Sequence, residues 1–465
     1  MIQWSCHGAA KQVTGSCHLV RTASASVLVD CGLFQGGREL AEENAAEFGF
    51  DPAGVDVLLL THAHLDHCGR IPLLVKRGFK GRIVCTAGTR ELARLVLADA
   101  AGLQEEDARR AQRHGRRQTQ DAEPLYTLAD AFHAMDFFDG SAEYGLRREV
   151  APGVHATFVD AGHILGSASI LLELEEPGGH CSVFFSGDIG NPGRPLLRDP
   201  QAPPRHPDYV VMETTYGDRD HRDWQASSDE LVHAVSETLA RGGNVVVPTF
   251  ALERAQELLY VLARAVERGQ LPRHLPVFLD SPMAISATEI FLRYPSCLRP
   301  EFSARLHGPD PLQLPGLRLT RETAESMAIN TIRGGAVIMA GSGMCSGGRV
   351  RHHLRHNLGN QSNSVVFVGF AAQGTLARRI IDGARQVRLF DEDVEVRARI
   401  HTINGFSAHA GCSELLAWLK GCGRTRRVFL VHGDLDTGMR AFAQRLEQSG
   451  IAHQIPGAGE PILLR

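Results

Sequence analysis

Lysine is nearly missing from this 465-residue chain: Lys11, Lys76, Lys80 and Lys420 stand against 45 arginines. Biased codon usage is the bland reading; the functional one is that planar guanidinium forks match phosphate oxygens. CxxC pairs are absent as well. Ten scattered cysteines suit a reducing compartment better than a disulfide framework, so a cytoplasmic protein is expected. No apolar run approaches the roughly 18 residues a membrane span needs. The start, MIQWSCHGAA, lacks the basic and apolar regions of a signal peptide, so no membrane association is expected. A global positive charge is also lacking. At a formal net charge of -4, any contact with nucleic acid has to come from a local patch.

What remains is ordinary globular material. Hydrophobic residues make up 43% and charged residues 22%, which excludes wholesale disorder, and the length predicts two or three packed units. Short β-rich runs (SVLVDCG at 26–32, VDVLLLTH at 55–62, VHATFVDAGH at 154–163, SVFFSGD at 182–188, YVVMETT at 209–215, NVVVPTF at 244–250) alternate with helical patterns at 88–101, 227–241, 252–268 and 413–420. That alternation predicts an α/β fold. The loop-rich stretch QAPPRHPDY at 201–209 reads as a linker. A second junction falls near 385, where the acidic segment DEDVEVRAR begins.

The strongest chemical signal is THAHLDHCG, which supplies His62, His64, Asp66 and His67 directly after an apolar run. His62 and His64, two apart, share one side of an extended segment, unlike the helical HExxH arrangement. Further ligands are sought at other strand ends. His163 closes VHATFVDAGH, Asp188 follows SVFFSG, and His432 follows RRVFLV. Each leaves its strand at the end where α/β sheets place their sites. Taken singly, each reads more readily as a core or loop residue; their shared position is the argument. Imidazole and carboxylate without thiolate suit Zn²⁺, and an aspartate able to bridge two ions fits a two-metal site.

The series Asp30, HAHLDH, His163 and Asp188 resembles the metallo-β-lactamase superfamily. VVMETTYGDR, PTFALERAQELL, LDSPMA, SGMCSGGR, FVGFAAQGTLARR, FSAHAG and LVHGD follow in the order of its β-CASP branch of RNA nucleases, so the resemblance covers nearly the whole chain. It implies an αββα sandwich core at 1–205, an inserted α/β β-CASP cap domain at 206–385, and a completing core segment at 386–465. It further implies two Zn²⁺ per chain. His62, His64 and His163 would hold one ion, Asp66, His67 and His432 the other. Asp188 would bridge them together with a hydroxide, and Asp30 would orient a ligand histidine. Glu213 and His409 match the paired residues beside the scissile phosphate, which together with Asp66 make the expected catalytic set. Many relatives carry Asp where this chain has Gly411, which bears on the orientation of His409.

The implied activity is zinc-dependent hydrolysis of single-stranded RNA, endonucleolytic or from the 5′ end, leaving 5′-phosphate and 3′-hydroxyl ends. A DNA-processing nuclease, a small-molecule zinc hydrolase and a non-cutting RNA scaffold are the alternatives, and a homodimer is allowed for. A histidine at 432, where DNA-repair relatives usually have an aliphatic residue, favours RNA.

No acidic residue lies between Glu325 and Asp382, a window holding Arg333, Arg349, Arg351, Arg355, Arg378 and Arg379. Within it, AVIMAGSGMCSGGRVRHHLRHNL reads as strand, glycine-rich turn and helix, so Ser342, Gly343 and Arg349, joined by Thr375 and Arg378 from AAQGTLARR, are expected to contact RNA phosphates. The bland alternative is an ordinary strand-to-helix loop. The segment 206–385 carries net +1 and the remainder net -5, so the expected cleft between core and cap is positive. RRAQRHGRRQ at 109–118 reads as a solvated helix face or an RNA contact. His352, His353 and His356 are set aside as metal ligands because neither carboxylate nor cysteine accompanies them in sequence.

Overall fold

The computed structural model describes residues 2–36, 42–113, 123–177, 179–308 and 310–465. They divide into two compact units: Met1–Pro192, Leu197–Asp220 and His409–Arg465 form the first, Gly193–Leu196 and His221–Ala408 the second.

Two seven-stranded mixed sheets build the first unit. In spatial order one runs Ile462–Leu464, Ile2–Gly8, Cys17–Arg21, Ser26–Val29, Val57–Leu59, Arg82–Thr86 and Phe138–Ala142. The other runs His453–Gln454, Arg427–Val431, Tyr209–Glu213, Gly179–Phe185, Ala168–Glu176, Val154–Asp160 and Arg147–Ala151. Strand residues alternate faces, so Phe185, Val211 and Phe429 point into one core with Trp4, Val20 and Val27 of the facing sheet. Trp4 and Phe429 meet at 4.6 Å between ring centroids. Their sequence neighbours Phe184, Val210 and Leu430 point the other way, onto Leu415 and Trp418 of helix Cys412–Gly421 and Phe442 of helix Arg440–Gln448. The ring of Phe184 stacks on Trp418. Helices therefore cover the outside of a double sheet.

The second unit is built on a six-stranded, all-parallel sheet in the order Leu317–Leu319, Val277–Asp280, Val337–Ala340, Val245–Pro248, Ser364–Phe367 and Arg399–Thr402. Its central strands VVVP, VFLD, VIMA and SVVF are buried at every residue, as expected of parallel strands covered on both faces by helices.

The unit boundaries correct the sequence expectation. Tyr209–Glu213 pairs between Gly179–Phe185 and Arg427–Val431 and so belongs to the first unit rather than to a cap starting at 206. Arg399–Thr402 pairs with Ser364–Phe367, so residues 386–408 stay with the second unit instead of completing the core. All ten cysteines are buried. Among the described residues no helix is long and apolar enough to cross a membrane. Residues 114–118 of the arginine run lie outside the described residues. Arg109 and Arg110, on helix Ala87–Arg113, pair with Glu105 and Glu106 one turn back, as a solvated helix face would.

Candidate metal centre

Strands running in the same direction in both sheets of the first unit deliver their carboxyl ends to one place. Val57–Leu59 leads into His62 and His64 and then the short helix Leu65–Cys68, which carries Asp66 and His67. Val154–Asp160 leads to His163, Gly179–Phe185 to Asp188, and Arg427–Val431 to His432. Asp30, just past Ser26–Val29, and His432 adopt φ of 61° and 47°, a left-handed conformation that costs a non-glycine residue energy and turns the side chain out of the strand line.

The seven candidate ligands fall into two sets. His62, His64, His163 and Asp188 bring one donor atom each within 4.8 Å of one another, as do Asp66, His67 and His432. In the first set His64 Nδ1 lies 3.2 Å from His62 Nε2 and 3.1 Å from His163 Nε2. In the second, His67 Nε2 lies 3.2 Å from His432 Nε2, which is 3.3 Å from Asp66 Oδ2. Asp188 spans both. Its Oδ2 is 3.4 Å from His62 and 3.5 Å from His163, while its Oδ1 is 3.2 Å from His67 and 3.6 Å from His432 Nδ1.

These residues fit a pair of divalent ions. The Asp188 Oδ1 atom is buried with no hydrogen-bond partner. Nitrogens 3.1–3.2 Å apart match a tetrahedral edge of about 3.3 Å, the value for Zn–N bonds near 2.0–2.1 Å. Burial lowers His62 to about 3 and His64 to about 4, and it holds His163 well below its ordinary value. Those three rings are therefore neutral, with lone pairs available.

Asp30 organises both sets from behind. It is 1% exposed. Its Oδ1 accepts from Thr61 N at 2.8 Å, and its Oδ2 accepts from Thr61 Oγ1 at 2.8 Å and from His67 Nδ1 at 2.7 Å. A carboxylate only accepts, so His67 carries its proton on Nδ1 and presents Nε2 to the site. Thr61, having donated to Asp30, accepts from His62 Nδ1 at 3.1 Å and leaves His62 Nε2 bare. On the other side Thr215 Oγ1 meets His432 Nδ1 at 3.1 Å. Thr61 and Thr215 went unread in the sequence. The only signal was their position, one immediately before HAHLDH and the other within METTYGDR.

Glu213 and His409 come together beside this centre. His409 Nδ1 lies 3.3 and 3.2 Å from the two Glu213 oxygens. Glu213 is fully buried and fixed by Ile189 N at 2.6 Å. Burial opposes charging His409, but the Glu213 and Asp188 carboxylates overcome it and raise its pKa to about 9. Gly411, in place of aspartate, is the N-cap of helix Cys412–Gly421 and donates its N–H to Glu414. The His409 to Glu213 contact forms without it.

The expected phosphate contacts fare differently. Arg349 donates to Asp280 Oδ1 at 2.7 Å and to the carbonyls of Thr320 and Arg321, so its guanidinium is engaged inside the second unit. Arg355 pairs with Glu392 and Arg378 with Asp382. Three of the six arginines in the window without acids are thus paired with acids from outside it. Thr375 caps helix Leu376–Ile381 by accepting from Arg378 N. Ser342 Oγ faces Gly347 O at 3.5 Å, and Gly343 lies against Phe250. His353, set aside for want of a carboxylate, has one: its Nε2 meets Asp280 Oδ2 at 2.6 Å and its Nδ1 meets Asn330 Oδ1, a buried network completed by Ser326.

Three family models match the chain: the metallo-beta-lactamase superfamily over residues 10–242, the Beta-Casp domain over 255–380, and a Zn-dependent metallo-hydrolase RNA specificity domain over 393–456. The chain is 41% identical over 428 residues to Ribonuclease TTHA0252 of Thermus thermophilus, with 92% of each chain covered. It is 30% identical over 439 residues to transcription termination factor FttA of Methanocaldococcus jannaschii, covering 92% of this chain and 66% of that one. A crystal structure of a protein of unknown function from Enterococcus faecalis shares the fold, with a TM-score of 0.54 at 13% identity over the full length of both chains. The chain therefore belongs to the β-CASP branch of the metallo-β-lactamase superfamily of metal-dependent hydrolases.

Proposed function

We propose that this protein is a two-zinc ribonuclease that hydrolyses phosphodiester bonds of single-stranded RNA in RNA processing or decay, leaving 5′-phosphate and 3′-hydroxyl ends. The observation that carries the reading is the division of Asp188, one oxygen towards each histidine set, with the Glu213 and His409 pair alongside. The RNA specificity domain match and the ribonuclease name of the Thermus thermophilus relative support RNA as the substrate.

His62, His64 and His163 would hold one ion, Asp66, His67 and His432 the other, with Asp188 shared. When bound, the ions supply an activated water at neutral pH and draw charge from the phosphate oxygens. Asp30 and Thr61 keep His67 and His62 in the tautomers that expose Nε2. Glu213 accepts from His409 Nδ1, which leaves His409 Nε2 as the proton donor to the departing 3′ oxygen.

The test is to incubate purified protein and zinc with 5′-labelled RNAs bearing phosphate, triphosphate or hydroxyl ends. Internal fragments identify endonuclease action, and released mononucleotides identify action from the 5′ end. Cleavage of DNA or thioesters with every RNA left intact refutes the reading.

A further inference from the structure

Two phenylalanines are about half exposed at the carboxyl edge of the six-stranded parallel sheet. Phe250 follows Val245–Pro248 and Phe370 follows Ser364–Phe367, strands that pair in parallel, so both loops leave at the same edge. Phe250 is 44% and Phe370 54% exposed. They line one pocket with Thr249, Arg254, Gly343 and Gly369.

The pocket is built around the rings. A Cβ on Gly343 would stand 2.8 Å from the Phe250 ring, so only glycine lets the turn after Val337–Ala340 lie flat against it. At Gly369 a Cβ would meet nothing within 4 Å, which leaves the other loop open. Arg254 is buried and held by Glu257 at 2.7 Å, so the floor of the pocket is a fixed ion pair.

Rings left this exposed forgo much of the gain that burial of an aromatic side chain brings. The carboxyl edge of an open parallel sheet is where such folds bind ligands. Aromatic faces beside a glycine-lined backbone suit a flat, heteroatom-rimmed ring. We propose that Phe250 and Phe370 form a stacking platform for one nucleobase of the single-stranded substrate. The assignment rests on the ribonuclease reading and adds a recognition element to it. Stacking is blind to base identity, so the platform selects an unpaired base over a paired one without selecting a sequence.

The experiment walks a single abasic ribose along a short RNA and measures cleavage by the full-length, zinc-loaded protein and its Phe250→Ala, Phe370→Ala and Phe250→Trp variants. In the unmodified protein one position is expected to cost about 5-fold to 100-fold in kcat/KM when its base is removed. Phe250→Ala and Phe370→Ala are expected to cut intact RNA more slowly by a similar factor, mainly through KM, and to show no further loss at that position. Phe250→Trp, which keeps an aromatic face, is expected to retain the sensitivity and to show that the site tolerates substitution. Equal abasic profiles for the unmodified protein and Phe250→Ala overturn the platform, as does unimpaired cleavage by both alanine variants. RNA that binds with Phe250-dependent sensitivity to the abasic position but is never cut keeps the platform and removes the ribonuclease reading instead.

Discussion

Replacing Asp30 by asparagine changes one heavy atom and reverses the protons of two histidines. Asp30 Oδ2 accepts from both Thr61 Oγ1 and His67 Nδ1. In Asp30→Asn the remaining carbonyl oxygen still accepts from Thr61 N, so the amide NH2 takes the Oδ2 position and donates to both groups. His67 then accepts at Nδ1 and carries its proton on Nε2, the nitrogen that faces the second set. Thr61, now receiving a hydrogen bond, donates to His62 Nδ1 and moves that ring's proton to Nε2 as well. Both sets lose a donor while the packing volume is unchanged. Losing a partner behind a metal ligand typically costs 10-fold to 100-fold in affinity, about 1.4–2.7 kcal/mol per site. Zinc titration against a chelating fluorophore should show both sites weakened in Asp30→Asn, with ribonuclease activity recovering only at raised zinc. In Thr61→Val, which leaves the Asp30 to His67 contact in place, the first set alone should weaken. Wild-type zinc affinity at both sites in Asp30→Asn refutes the tautomer argument.

His409→Ala is expected to lower turnover by about 10²-fold to 10⁴-fold while metal analysis still finds two zinc ions per chain; unchanged turnover removes His409 from the mechanism. Arg349→Met is expected to cost about 1.5–3 kcal/mol of stability, because it removes one of the three side chains that hold the buried Asp280 carboxylate and leaves His353 and Ser326 in place. Measured by urea denaturation beside RNA affinity, a loss of RNA binding at full stability would restore Arg349 to the phosphate-contact role. Burial pushes the Asp160 carboxyl up to about 6 despite Arg198 beside it. A folded-state pKa above the unfolded value of 3.8 contributes stability that is complete below pH 3.8 and lost as pH rises through 6. Relative to Asp160→Asn, the unmodified protein should therefore lose on the order of 3 kcal/mol between pH 4 and 7. A flat difference across that range counts against the buried, unfavourably charged carboxylate.

Which features were legible in the sequence follows from how far apart the interacting residues lie. HAHLDH is visible because four donors sit within six residues, and His163, Asp188 and His432 could be sought because each closes an apolar run. Their meeting point follows from strand direction, which the alternation of strands and helices already implies. The arginine window is less bare than it reads in sequence, because charge counted along the chain ignores partners distant in sequence. Asp280 reaches Arg349 from 69 positions away and His353 from 73, and Glu392 reaches Arg355 from 37. The placement of residues 386–408 is not legible in the same way, since only strand pairing assigns Arg399–Thr402 to its sheet.

Phe250 and Phe370 show the opposite case. In PTFALER and FVGFAAQ they read as the last apolar residues of buried strands, and exposure is a property only the folded chain has. Local motifs therefore locate the groups that do chemistry, because chemistry needs several donors within a few ångströms and one loop can supply them. Recognition surfaces are written in what the fold leaves uncovered. On this chain the proposed base contact falls to aromatic rings that stand about half exposed at the edge of their sheet, while Arg349 and Arg378, expected from sequence to meet phosphate, pair with acids.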